Sequence, residues 1–273
     1  MRKEISKEML NKLFFKIKGK SKYQAVSIPD ETIVDLLNDS ASKYHSLHEI
    51  EHNVEEKLHN IVATYLGDID YNTFYSKFDC VLEQDDSLAF TSFINALLSA
   101  HQSTKERLPY IQNFYNTIFN EIGTPQSIAD VACGLHPFGI PYMNLKHNTK
   151  YYAYDLNMPR INAIDYYISK LGYSGGGIHK DIFVSPPQEQ FDAVFFFKEA
   201  HRFEKRKKGC LKSFLSSFNA KIIVLSLPIM DLCSKYDLSS KHDSLVSSAT
   251  DGLKITVKDV GNERLYFLRN VEY

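Results

Sequence analysis

The chain has 273 residues, 44% of them hydrophobic, enough for one large domain or a domain with a smaller companion around a real core. Its formal charge of −1 excludes a partner held by whole-chain charge, so any basic footprint must be local. The four dispersed cysteines, Cys80, Cys133, Cys210 and Cys233, form no CxxC pair and argue against a disulfide framework or a zinc site. Neither a signal-peptide run nor a membrane-length apolar stretch is found, so a soluble cytoplasmic protein is expected.

Up to about Leu98 the texture is helical. Lys18–Lys22 is short, polar and basic, and Pro29 interrupts the pattern before a further helix. Leu47, Ile50, Val54, Leu58, Ile61 and Tyr65 recur at spacings of three and four, which predicts one apolar helical stripe. Ser87–Leu98 predicts another helix. From Ser127 the texture changes. Ser127–Cys133 and Lys150–Leu156 predict strands, Ile161–Leu171 a helix, and Ser174-Gly175-Gly176-Gly177 a turn into a third strand ending at Asp181. Phe191–Phe197, apolar but for Asp192, is a strand, Phe203–Phe218 a helix with a basic start, and Ile222–Leu227 a fifth strand. Lys254–Val260 and Arg264–Leu268 flank Gly261-Asn262 as a tight hairpin. Strands alternating with helices imply an α/β fold with a mostly parallel sheet, and the hairpin adds an antiparallel strand. The expected division is a helical part over residues 1–108 and a sheet domain over 109–273.

Ligands of open α/β sheets bind beyond the carboxyl ends of the strands. Asp130-Val131-Ala132-Cys133-Gly134-Leu135 ends the first strand, and Gly134 allows a tight turn close to a ligand. Without GxGxxG a pyrophosphate cradle is not supported; a single-glycine turn suits a nucleoside without phosphates, such as S-adenosylmethionine. Asp155 follows about twenty residues later, the spacing at which a carboxylate meets ribose hydroxyls. Asp181, at the third strand end, can accept from an adenine amino group, with Ile182 offering backbone and apolar contact. Each aspartate alone is as readily a loop or helix-cap residue; their joint order is the signal. In His101–Pro109, Arg107 is either part of a helix start or a forked clamp for a carboxylate, and the residues leave both open. His45, His48, His52 and His59 lie at helical spacing but lack a ligand pattern, so no metal is expected.

His101-Gln102-Ser103-Thr104-Lys105-Glu106-Arg107-Leu108, followed by Asp130-Val131-Ala132-Cys133-Gly134-Leu135-His136-Pro137, resembles the aminoglycoside-resistance 16S rRNA guanine-N7 methyltransferases of the Arm/Rmt/Sgm family. The likeness extends to Ser21-Lys22-Tyr23, Lys57-Leu58-His59, Phe197-Lys198, Ser226-Leu227-Pro228 and Gly261-Asn262-Glu263, nearly the whole chain. It implies a class I, Rossmann-like S-adenosylmethionine-dependent methyltransferase fold with a seven-stranded sheet and an N-terminal extension that docks on rRNA. It further implies cofactor contacts from Tyr65, His101, Gln102, Ser103, Arg107, Ala132, Gly134, Asp155, Asp181, Ile182 and Phe197. The expected partner is 16S rRNA within the small (30S) subunit, the expected product N7-methylguanosine in the decoding A site, and the expected state a monomer. The sequence departs from the family at Glu199-Ala200-His201-Arg202, within Lys205-Arg206-Lys207 and over Met230–Lys235, which bears on the target-base pocket.

N7 of guanine has a lone pair and no proton, so no catalytic acid or base is nominated. Two basic clusters, one from Arg2 to Lys22 and one from Lys198 to Lys212, are candidate phosphate contacts. A class I methyltransferase with another substrate and a non-catalytic RNA-binding module are the competing readings.

Overall fold

The computed structural model describes residues 5–62, 67–231, 233 and 235–270. Its first unit holds α1 (Lys7–Lys18), α2 (Ser21–Gln24), α3 (Asp30–Ala41) and α4 (Leu47–Val62). Ser6 caps α1 by accepting from the Met9 N–H at 3.3 Å. Pro29 immediately precedes α3, whose first turn places Asp30 and Glu31 at the positive end of the helix dipole. The apolar stripes of these helices, among them Ile17, Ile33, Leu36, Ile50, Val54 and Leu58, close on one another as a separate core.

Next come α5 (Tyr71–Glu83) and α6 (Ser87–Ser99), started by Asp70 and Asp86, whose carboxylates accept from first-turn N–H groups. Their Phe74, Phe78, Ile94, Leu97 and Leu98 pack into the core beneath the sheet. The helical part expected over residues 1–108 therefore comprises two packing units, the first with a core of its own. None of the described helices is long and apolar enough to cross a membrane.

The chain continues through α7 (Gln102–Lys105), α8 (Ile111–Ile122), β1 (Ser127–Val131), α9 (Ile140–Met143), β2 (Lys150–Asp155), α10 (Met158–Lys170) and β3 (Ser174–His179). It ends with β4 (Gln190–Phe197), α11 (Ala200–Arg206), α12 (Leu211–Leu215), β5 (Asn219–Pro228), α13 (Ser239–Ala249), β6 (Leu253–Val260) and β7 (Glu263–Asn270). The seven strands lie in the order β3-β2-β1-β4-β5-β7-β6. The first five are parallel, and β7 is antiparallel to both β5 and β6. Past Asp192 strand β4 is wholly apolar because helices cover both its faces: Phe195 and Phe197 enter one core, Val194 and Phe196 the other. The order reverses between β1 and β4, which opens a crevice at their carboxyl ends.

Two elements differ from expectation. Gly175, Gly176 and Gly177 are not a turn but lie inside β3. A Cβ on Gly175 would come within 2.1 Å of the Tyr151 carbonyl oxygen, and one on Gly177 within 2.4 Å of that of Ile161. Only bare backbone fits between β2 and α10. The helix expected over Phe203–Phe218 is two short helices, because the Glu204 carboxylate accepts from Gly209 N–H (2.6 Å) and Leu211 N–H (2.9 Å) and turns the chain between them.

Candidate active site

After β1 the chain turns through Ala132 and Gly134, at φ 51° and 55°. A non-glycine residue in this left-handed region stores on the order of 1–3 kcal/mol, the kind of strain that gathers at ligand sites. The turn is tied to β2 by the Cys133 N–H, which donates to the Tyr154 carbonyl at 3.0 Å. A Cβ on Gly134 would meet His101 Cε1 at 3.9 Å and nothing else within 4 Å, so the turn faces open cleft. Gly134→Ala is therefore expected to lower S-adenosylmethionine affinity about tenfold while costing only ~1 kcal/mol in folding. Calorimetric titration beside a thermal melt checks this.

His101, Ser103, Arg107, Ala132, Gly134, Asp155, Asp181, Ile182 and Phe197 all line this one cleft. The other two expected residues are Gln102 and Tyr65. Gln102 does not line the cleft; its amide donates to Glu106 at 2.7 Å. Tyr65 lies outside the described residues.

The carboxylate of Asp155 sits at the end of β2. It accepts from Gly134 N–H at 3.0 Å, from Asn157 N–H at 2.9 Å and from Arg160 at 3.1 and 3.2 Å. Burial pushes this acid up, but the Arg160 charge and the two backbone N–H groups outweigh it and hold it below the usual carboxylate range. Arg160 is fixed from its other side by Asp68 at 2.7 Å.

Asp181 is buried and pairs with Arg206, whose Nη1 donates to Oδ1 at 3.0 Å. Its Oδ2 lies 2.8 Å from Arg206 Nη2 but receives no hydrogen bond of acceptable angle, which leaves a buried acceptor unfilled. Arg206 also reaches Asp35 of α3 at 3.0 Å, and Glu31 accepts from the Asp181 N–H at 2.9 Å, so the first helical unit is bound to this end of the cleft.

Arg107 corrects one expectation. Its fork is already engaged: Nε and Nη2 donate to the two oxygens of Glu263 at 2.8 and 2.7 Å. The reason is that Glu263, fully buried at the start of β7, needs compensating charge. Burial would raise the Glu263 acid, yet Arg107, Lys198 and the Ser226 hydroxyl bring it down to about 2. The Arg107 guanidinium lies over the Phe114 ring at 4.0 Å and near Phe197 at 5.2 Å. Among the described contacts Nη1 has no acceptor, so one donor, not a fork, is left for a ligand.

His101 is held neutral, its acid down to about 4, chiefly by burial and then by the Arg160 charge. Its Nδ1 is 2.9 Å from the Ser103 hydroxyl. After β4, Lys198 adopts φ 60° and turns its ammonium inward onto Glu106 at 2.8 Å. Lys198 and Arg206, both counted in the second basic cluster, are thus buried ion-pair partners. Sequence reasoning also missed Arg160, Glu199 and Glu263 as residues of the site. Arg160 alone had a local signal, five residues after Asp155 on the first turn of a helix.

This donor set fits S-adenosylmethionine. The unfilled Asp181 Oδ2, the carboxylate of Asp155 and the bare Gly134 turn offer acceptors and space for an adenosine, and the Arg107 donor suits a carboxylate. Among the described residues no group of three or more His, Cys, Asp or Glu side chains could hold a metal ion.

The profile of the family described as "Ribosomal RNA methyltransferase (FmrO)" matches residues 20–250. A "16S rRNA (guanine(1405)-N(7))-methyltransferase" of Micromonospora echinospora is 28% identical over 217 residues, covering 78% of this chain and 79% of that protein. A protein of the same name from Proteus mirabilis is 27% identical over 237 residues, covering 81% and 83%. In fold, the chain superposes on 16S rRNA methyltransferase RmtF, solved with S-adenosyl-L-homocysteine, with a TM-score of 0.80 at 19% identity, over 97% of this chain and 100% of that one. The 16S rRNA methylase ArmA gives 0.60 at 25% identity, over 74% and 99%. With a profile match over most of its length and the seven-stranded sheet of these enzymes, the chain belongs to the FmrO family of ribosomal RNA methyltransferases.

Proposed function

We propose that this methyltransferase uses S-adenosylmethionine to methylate N7 of a guanine in the decoding A site of bacterial 16S rRNA, within the 30S subunit, and so confers aminoglycoside resistance. The observation that carries the reading is that Arg107, Asp155 and Asp181, distant in sequence, line one cleft at the switch point of the sheet. The names of the relatives supply the guanine and the atom.

S-adenosylmethionine supplies a methyl group already activated on a positively charged sulfur. Asp155 accepts from the ribose hydroxyls, Asp181 Oδ2 from the adenine amino group, and Arg107 donates to the carboxylate. Phe197 forms an apolar wall, and the Gly134 turn gives the close approach. With no proton to remove from N7, the residues act by holding the reacting atoms in line at about 3–3.5 Å. A target base stacked in a helix must first leave the stack.

For docking, the N-terminal lysines are largely spent within the protein: Lys12 pairs with Glu8, Lys16 with Glu51 and Lys18 with Asp30. Lys205, Lys207 and Lys208 are exposed, make no ion pair among the described residues, and adjoin the cleft through Lys205. They are the better phosphate contacts. Changing all three to Glu is expected to weaken 30S binding at least tenfold and to flatten its salt dependence. Filter binding at several salt concentrations measures both; wild-type affinity and slope would contradict the assignment.

The function is tested with methyl-tritiated S-adenosylmethionine and purified 30S subunits, 50S subunits and protein-free 16S rRNA. Label is expected in the rRNA of 30S subunits. No label in 16S rRNA of any form would overturn the reading.

A further inference from the structure

Phe197 ends β4, and the turn at Lys198 brings the next residue, Glu199, to the cleft wall. Like Asp181, this carboxylate has one oxygen held by an arginine and the other without a hydrogen bond. Its Oε1 accepts from Arg202 Nη1 at 2.7 Å. Arg202 is itself anchored, its Nη2 donating to the carbonyls of Asn60 at 2.7 Å and Ile61 at 3.2 Å at the end of α4. That clamp fixes the carboxylate from behind. Oε2 has no hydrogen-bond partner among the described residues, and the Glu199 side chain remains 19% exposed. The adenosine-binding roles proposed above fall to Asp155 and Asp181, so this acceptor is unassigned. Glu199 and Arg202 both line the cleft.

We propose that Glu199 reads the target guanine, accepting from its N1–H and exocyclic N2–H₂ donors while N7 faces the methyl group. The inference rests on the guanine-N7 function proposed above. A guanine offers two adjacent donors on that edge, and an adenine has no N1–H. The contact also favours the reaction. As the N7 lone pair bonds to the methyl carbon, sulfur keeps the electrons of the broken bond as a neutral thioether and the positive charge passes to the base. The cationic base has a more acidic N1–H, so its bond to the carboxylate strengthens as the methyl group moves, which lowers the barrier more than it aids binding.

The test is Glu199→Gln, which keeps the shape and leaves one acceptor. Single-turnover methylation of 30S subunits is expected to slow about 10- to 100-fold, the range spanned by a hydrogen bond to a charged group. Calorimetric affinities for S-adenosylmethionine and S-adenosylhomocysteine should stay within about twofold of wild type on the same scale. Glu199→Asp, which keeps the charge at shorter reach, should recover part of the rate, and thermal melts confirm that both variants fold. A Glu199→Gln rate equal to wild type overturns the inference while leaving the guanine-N7 function intact. Lost affinity for S-adenosylmethionine but not for S-adenosylhomocysteine would assign the carboxylate to the sulfonium and also overturn it. If the wild-type protein itself fails to methylate guanine N7, the underlying function fails instead.

Discussion

Asp155→Ala is expected to lower S-adenosylmethionine affinity at least ~100-fold, from the loss of two charge-assisted hydrogen bonds worth about 1.5–3 kcal/mol each. The residue has two tasks. Its oxygens are the acceptors proposed for the ribose hydroxyls, and one of them also accepts from Gly134 N–H and holds the turn proposed to carry the cofactor. Removing it loses the acceptors and frees the turn together. Arg160 would then keep Asp68 as its remaining carboxylate, so the folding cost should fall below the ~3–5 kcal/mol of a fully stranded buried charge. Asp155→Asn separates the two effects, since an amide can still accept from one backbone N–H. It should preserve folding better than alanine and still bind the cofactor poorly. Calorimetric titration is the measurement, and a loss under fivefold in both variants would rule out the ribose contact.

The second large effect concerns Glu263. Glu263→Gln should destabilise the fold by ~3–5 kcal/mol, because it leaves the wholly buried Arg107 without its counter-charge. The lowered midpoint of urea unfolding reads this directly. Arg107→Met with Glu263→Leu, which removes both charges, should recover most of the loss while abolishing the proposed cofactor-carboxylate contact. Linkage gives the matching pH dependence. The Glu263 acid falls from an ordinary 4.5 when unfolded to about 2 when folded. Its contribution is fully present above pH 4.5 and is lost as pH falls from there through 2. Glu263→Gln should therefore flatten the acid limb of stability. An unchanged limb would mean that another carboxylate controls it.

Much of the sheet was legible because buried parallel strands must be apolar on both faces. Ala193–Phe197, apolar at every position, could hardly be read otherwise. Asp155 and Asp181 were legible because one ends β2 and the other follows the end of β3 by two residues, positions set by local spacing. What could not be read depends on chain segments meeting in space. Glu263 lies 156 residues from Arg107, and nothing around Gly261-Asn262 reveals that the next residue turns inward to meet an arginine. Lys198 and Arg206 looked like surface charge because counting basic residues carries no information about direction. Gly175–Gly177 read as a turn because glycines usually mark one; here they let a helix and a strand touch. The division expected at residue 108 followed the onset of strand texture. The packing of α5 and α6 against the sheet is set by Phe74, Phe78 and Leu98, whose helical spacing cannot say which core they enter.

The most direct test is to map the modified nucleotide. Small subunits methylated by the purified protein are treated with borohydride and aniline, which cleave the chain at N7-methylguanosine, and the 16S rRNA is read by primer extension. One strong stop at a single guanine of the decoding site is predicted, dependent on S-adenosylmethionine and absent with Asp155→Ala. Methyl transfer without that stop, at another atom or another nucleotide, would contradict the account.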